Sequence, residues 1–291
     1  MRRRVVHGHS GGVIPGPISN PEVKSSCVVF CTVVREPTGT YVAVPLSFTS
    51  PHHQNSFTLR HAIANVSRVE SMGISTGDIL GHPQVGVYLS VVGDILFYPS
   101  SLDKNAVDEL SNTFDMEMYP TLIGGSALLG SLIRGNKKGI AVADIATEAD
   151  LDALTSFGDL VIMESGVNAA GNLVVCNEKG AIVSPVIPGP GAELIGEVLG
   201  VDSIRSKVAN HETVGSLLVT NNKGVLAHPD ISAEEADRIS ETLQVPLMVG
   251  TVCFGSPYVG AGCVASDKYA LVGDGSTGPE LNRIEDSLGL I

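Results

Sequence analysis

A cysteine thiolate beside an imidazole, with carboxylates to orient both, is a set of side chains that could attack an electrophilic carbon. This chain of 291 residues carries the parts: Cys253 and Cys263, His211 and His228, and 31 acids. Their contexts argue against assembly. His211 sits in ANHETVG and His228 in LAHPD, both turn-like and polar, and Cys263 lies within an apolar strand pattern where a small buried thiol simply packs. Metal chemistry has less support still. Cys27 and Cys31 have no second pair of ligands at finger-like distance, so neither a metal nor a cofactor is expected.

The residues that do recur are glycine and asparagine. Gly86, Gly130, Gly171, Gly215 and Gly260 follow one another at steps of 44, 41, 44 and 45 residues. Three of them open nearly the same phrase: GSLIRGNKKGIAV, GNLVVCNEKGAIV and GSLLVTNNKGVLA. Looser copies, GVYLSVVGDILFY and GAGCVASDKYALV, stand at the two ends. Asn136, Asn177 and Asn221 come six residues after the glycine and Gly139, Gly180 and Gly224 nine after. Asn and Gly tolerate positive φ, so each phrase predicts a strand, a tight turn and a second strand.

A period in this range is the signature of a repeat architecture. The elements around each hairpin agree. Seventeen residues past the glycine, Thr147 with Asp150, Ser232 with Glu235 and Thr277 with Glu280 form helix-capping pairs, Asp103 stands at the same place in the first copy, and the third copy uses Pro190 near its first turn. Residues 232 to 243 put Ala233, Ala236, Ile239 and Leu243 on one face and Glu234, Glu235, Arg238 and Glu241 on the other, the pattern of a helix with one packed side. Further apolar strands follow (MEMYPTLI, GDLVIMES, DSIRSKV, VPLMVGTV), but the fifth copy ends too soon to have one. The segment Thr76 to His82, which belongs to no copy, is expected to complete the fifth sheet and close the ring, leaving no open edge.

Composition narrows the partners. Residues 1 to 71 carry 7 Lys+Arg against 3 Asp+Glu, net +4, and residues 72 to 291 carry 11 against 28, net −17. An acidic body makes a poor polyanion binder, which favours a protein partner. No run approaches the length of a membrane span, and MRRR is followed by Gly and Pro where a signal peptide needs apolar residues; no membrane, no export and a cytoplasmic location with reduced thiols are expected. Residues 1 to 75 read as a largely disordered N-terminal extension outside the five-repeat domain of 76 to 291, with five of the eight histidines and possible strands at 27 to 34 and 41 to 48. Its net positive charge raises the idea of an RNA contact.

The phrases GTVCFGSPYVGAGCVASDKYALVGDGSTGPELNRIEDSL, IGGSALLGSLIRGNKKGIAV and LQVPLMVGT, in this order, resemble the translation initiation factor 6 family, and the resemblance runs from about Asp78 to Leu288. It implies the pentein fold, a closed five-bladed α/β propeller with pseudo-fivefold symmetry, in agreement with the repeats. It implies a monomeric, non-enzymatic factor of translation initiation and large-subunit maturation. Such a factor binds the inter-subunit face of the large ribosomal subunit, at ribosomal proteins near the sarcin-ricin loop, and bars the small subunit sterically; no small-molecule substrate is implied. Carried over by position, the ribosome-binding residues are Gly86, Ser131, Asn136, Lys137, Gly139, Gly171, Asn172, Leu173, Glu178, Leu217 and Asn221. The chain departs from the family pattern in having Cys253-Phe254 where an Asn-Arg pair is common and GDGST in place of Gly-Leu-Asp-Thr-Thr, and it lacks the eukaryotic tail, which points to the archaeal type. The same fold carries enzymes that modify guanidino groups with a cysteine nucleophile, a histidine and paired carboxylates, and these supply the alternative reading for Cys253, Cys263, His211 and His228.

Overall fold

The computed structural model describes residues 73–163 and 168–291 in full, together with the strands Arg3–Val6, Cys31–Arg35 and Tyr41–Pro45. The remainder of the N-terminal extension, and any RNA contact by it, lie outside the described residues. Two of those strands, Cys31–Arg35 and Tyr41–Pro45, pair antiparallel within a separate unit of residues 11–71.

Each repeat builds one blade. In the first, Ser90–Val92 and Ile95–Pro99 form the hairpin, Lys104–Thr113 is the helix, and Glu117–Thr121 returns parallel to the second strand. The following three blades repeat this order, and Arg3–Val6 adds a fourth, parallel strand to the outer edge of the second. The fifth blade lacks its own last strand. Ile74–Gly77 supplies it, pairing parallel with Ala270–Gly273, so that the start of the repeat region locks its end. The closing strand is thus shorter and earlier than the sequence suggests: Leu80 and Gly81 turn with φ of 54° and 79°.

The helix starts follow the expected local chemistry. Thr147, Ser232 and Thr277 each form a complete capping box with the acid three residues on, Asp103 accepts from the Ala106 amide, and Pro stands in the first turn of Gly189–Leu199. The helices Gly189–Leu199, Ala233–Leu243 and Gly278–Leu288 pack between their own sheet and the preceding one. Ile239 and Leu243, for example, share a core with Val175 and Ile182 of the blade before. Hydrophobic burial therefore joins neighbours as well as filling blades.

The marker glycines do not open the strands. Each is the second residue of a one-turn helix (Val85–Tyr88, Leu129–Leu132, Ala170–Leu173, Val214–Leu217, Val259–Gly262), too short to show a periodicity in sequence. These five turns pack round the centre, each on the next, and the last on the first. A Cβ on Gly130, Gly171, Gly215 or Gly260 would stand about 2 Å from the carbonyl oxygen of the preceding marker glycine, and one on Gly86 would stand 2.1 Å from that of Gly260. Only glycine permits this backbone-to-backbone ring, and its return from Gly260 to Gly86 closes the propeller.

The hairpin glycines carry a correction of the same kind. Gly139, Gly180 and Gly224 are absent from the positive-φ positions; instead, a Cβ on them would meet the carbonyl oxygen of Val198, Thr242 or Ser287, at 2.4, 2.0 and 1.7 Å, in the last turn of the next blade's helix. Close approach, not a left-handed turn, selects glycine here. Left-handed residues cluster instead between blades, at Leu80-Gly81, Gly124-Gly125, Ala209-Asn210 and Cys253-Phe254-Gly255, and at the helix C-caps Gly200, Gln244 and Gly289; of the hairpin turns, the first has one at Gly93.

Candidate functional site

The five first strands surround a central channel of about 450 Å³ whose wall takes residues from every blade. Cys176 and Cys263 line it, but burial holds both thiols protonated, Cys176 pushed up to about 12 and Cys263 higher. No histidine lines it. His211 and His228 instead face each other, ring centroids 6.1 Å apart, and the buried His228 accepts from the Asp230 amide through Nδ1 while burial lowers its basicity. Cys253 sits in an inter-blade turn, its amide donating to Ser276 Oγ and its Sγ 3.7 Å from the Pro83 carbonyl oxygen. No hydrogen bond among the described residues joins Cys253 or Cys263 to His211 or His228.

Of the eleven residues carried over as contacts, eight are structural by position. Gly86 and Gly171 belong to the central glycine ring, Gly139 fits under a helix end, and Ser131, Leu173 and Leu217 are buried beside them. Asn136 and Asn221, 2% and 6% exposed, work as stitches together with Asn177. The Asn136 amide nitrogen donates to the carbonyls of Asn177 and Leu199, that of Asn177 to Asn221 and Leu243, and that of Asn221 to Ser266 and Leu288. Each Oδ1 accepts two amides of its own turn, as in Lys138 and Gly139 on Asn136. One side chain therefore shapes a turn and joins it to the next blade's turn and helix end.

The other three reach solvent, and they do so at two ends of the molecule. Asn172 lies in a central one-turn helix, and the three-residue strand Val174–Cys176 separates it from Glu178. Lys137 and Glu178 stand in successive hairpin turns: Lys137 Nζ pairs with Asp94 of the preceding blade at 2.7 Å, and its amide donates to Glu178 Oε1. Asp94 keeps the Lys137 ammonium above its ordinary basicity. The relay continues as Glu178 N donates to Asn222 and Asn222 N to Asp267.

A further set at this end escaped the sequence reading although its offset is as regular as that of the asparagines. Lys138, Lys179 and Lys223, eight residues past their glycines, donate Nζ to the carbonyls of Gly200, Gln244 and Gly289, the C-caps of the next blades' helices. An ammonium at a helix C-terminus meets both free carbonyls and the negative end of the dipole. With Lys137 and Lys268, these lysines put five of the eleven cations of residues 72–291 in exposed hairpin turns at one end of an acidic body.

Five sheets, five long helices and a glycine ring that returns on itself define a pentein-type α/β propeller. Within that class, residues 74–287 match the eIF-6 family, and the chain belongs to it. It is similar to proteins named translation initiation factor 6 from three archaea. Identity is 44% to that of Halorubrum lacusprofundi, over 72% of this chain and 96% of the relative; 38% to that of Haloquadratum walsbyi, over 72% and 94%; and 34% to that of Methanoculleus marisnigri, over 74% and 98%. Membership places the chain among factors of translation initiation, and no described helix is long and apolar enough to cross a membrane.

Proposed function

We propose that this chain is a ribosome anti-association factor: it docks on the inter-subunit face of the large ribosomal subunit, close to the sarcin-ricin loop, and keeps the small subunit from joining by occupying its volume. It acts as a monomer and without chemistry. The observation that carries this reading is the match to the eIF-6 family over residues 74–287, borne on a closed ring whose blades are tied to one another by backbone packing and asparagine hydrogen bonds. The hairpin-turn end is the docking end. Five of the eleven cations of residues 72–291 collect there as exposed lysines, interspersed with Asp94, Glu178 and Asp267, and this mixed-charge end of an otherwise acidic body is the one best suited to a ribosomal surface. Lys137 and Glu178 make contacts at that end, and the buried glycines and asparagines hold the turns that present them.

Co-sedimentation with purified subunits tests this. Binding to the large subunit alone, with joining inhibited, is the expected result. Lys137→Ala together with Lys268→Ala should weaken binding about tenfold at low salt and flatten its salt dependence, with the melting temperature unchanged. Equal binding to both subunits, or no inhibition of joining at saturation, would overturn the reading.

A further inference from the structure

The fourth residue after each marker glycine is Ser90, Arg134, Val175, Val219 and Val264. Three blades thus put valine on the channel wall where the second puts a guanidinium. Arg134 has no carboxylate within ion-pair distance among the described residues. Its Nη2 donates to the Gly171 carbonyl oxygen at 3.3 Å, and its buried Nε has no acceptor. Desolvation pulls its basicity down, and the neighbouring Cys176 offsets this only in part. A buried cation without a counter-ion is costly, and an anion entering the channel would relieve it.

We propose that the central channel is a binding site for a small organic monocarboxylate, held by Arg134 through its guanidinium and packed through its aliphatic part against Val175, Val219 and Val264. Three features select this class. A volume of about 450 Å³ suits a small molecule. Val175, Val219 and Val264, at the strand position that Arg134 takes in the second blade, give an otherwise polar wall an aliphatic stretch for a compact hydrocarbon group. Asp94, Asp115, Glu117, Glu178 and Asp267 line the same channel with only Lys268, besides Arg134 itself, to offset them, and their charge opposes phosphate esters and other polyanions more strongly than a monoanion. The site is independent of ribosome docking: either can fail without the other.

Calorimetric titration of the full chain with isovalerate, at ionic strength held constant with sodium chloride, is the test. The expected result is saturable one-to-one binding, with the Arg134 Nε–H resonance moving on titration. Arg134→Met should weaken it at least tenfold. Val219→Phe, which narrows the channel from another blade and leaves the charge in place, should do the same. If Arg134→Met does not fold, Val219→Phe and the Nε–H resonance decide. Isovalerate binding no better than chloride, tighter binding of inorganic phosphate, or variants within twofold of the parent would overturn the assignment.

Discussion

Glu280 shows how much one side chain can hold in this ring. Its carboxylate closes the capping box of the last helix through Thr277 N and Oγ1, and it also accepts from Thr251 Oγ1 and the amides of Phe254 and Gly255 in the left-handed turn that leads into the same blade. Burial alone would raise its pKa, but those hydrogen bonds outweigh it and hold the group down to about 2, against an ordinary 4.5. The folded-state value lies below the unfolded one, so the stabilisation is fully present above about pH 4.5 and fades as pH falls towards 2. Glu280→Gln should therefore cost about 2 kcal/mol at pH 7 in urea denaturation. The gap to the parent should narrow as the solution is acidified through that window. A constant gap down to pH 2 would show that the charge is not what holds the turn. The same turn keeps Phe254 82% exposed at φ 63°, and nothing in the structure explains a large apolar residue there.

Asn177 makes a second test at this scale, since its amide nitrogen donates to two carbonyls of the next blade and its oxygen accepts from Lys179 and Gly180. Removing all four bonds in Asn177→Ala should cost about 3 kcal/mol. Asn177→Asp keeps the acceptor but aims a buried carboxylate at two carbonyl oxygens. At pH 7 it should be at least as destabilised as the alanine variant, and it should recover in acid once protonation restores a donor. Thermal denaturation of both variants at pH 7 and pH 4 checks this.

Elements are where the sequence was most and least informative. Hairpins, long helices and their capping boxes were legible because each depends on residues three to seven apart: Ser232 with Glu235, or the apolar face Ala233, Ala236, Ile239 and Leu243. The reason for the glycines was not. Gly180 stands in a turn-like phrase, yet its partner is Thr242, 62 positions away, in a contact that only the assembled ring creates. The channel cation was hidden for a related cause, because Arg134 within GSLIRG is indistinguishable from a solvated strand residue until five strands enclose it. The lysine offset, by contrast, lay in plain view.

Glycine substitutions separate the two explanations at the level of the element. Gly215→Ala sets a methyl 1.8 Å from the Gly171 carbonyl oxygen, where backbone faces backbone and neither can move without breaking the ring. It should cost about 3 kcal/mol or leave the chain insoluble. Gly278→Ala, at the start of the last helix with open space around it, should stay within about 0.5 kcal/mol of the parent. Equal effects at both positions would remove close approach as the reason for the marker glycines.

For the whole molecule, everything rests on closure. Four blades complete themselves with their own last strand, and the fifth borrows Ile74–Gly77. Two further contacts guard the seam: Ala270 N donates to Gly73 O and Asp274 N to Gly77 O. Set against a chain beginning at Met72, which lacks the Arg3–Val6 strand equally, a chain beginning at Asp78 keeps every marker glycine but leaves the Ala270–Gly273 edge unpaired, and an unpaired edge recruits another strand. Such a chain should melt about 10 °C lower, and sedimentation should show it associating with rising concentration, while a peptide of residues 72 to 78 added in excess should restore both properties. A monomer of unchanged melting temperature would mean that the glycine ring alone closes the propeller and that the borrowed strand merely decorates it. If closure does depend on that strand, the shortened chain should also lose subunit anti-association in step with its loss of the ring, because an obstacle that opens under load no longer excludes anything.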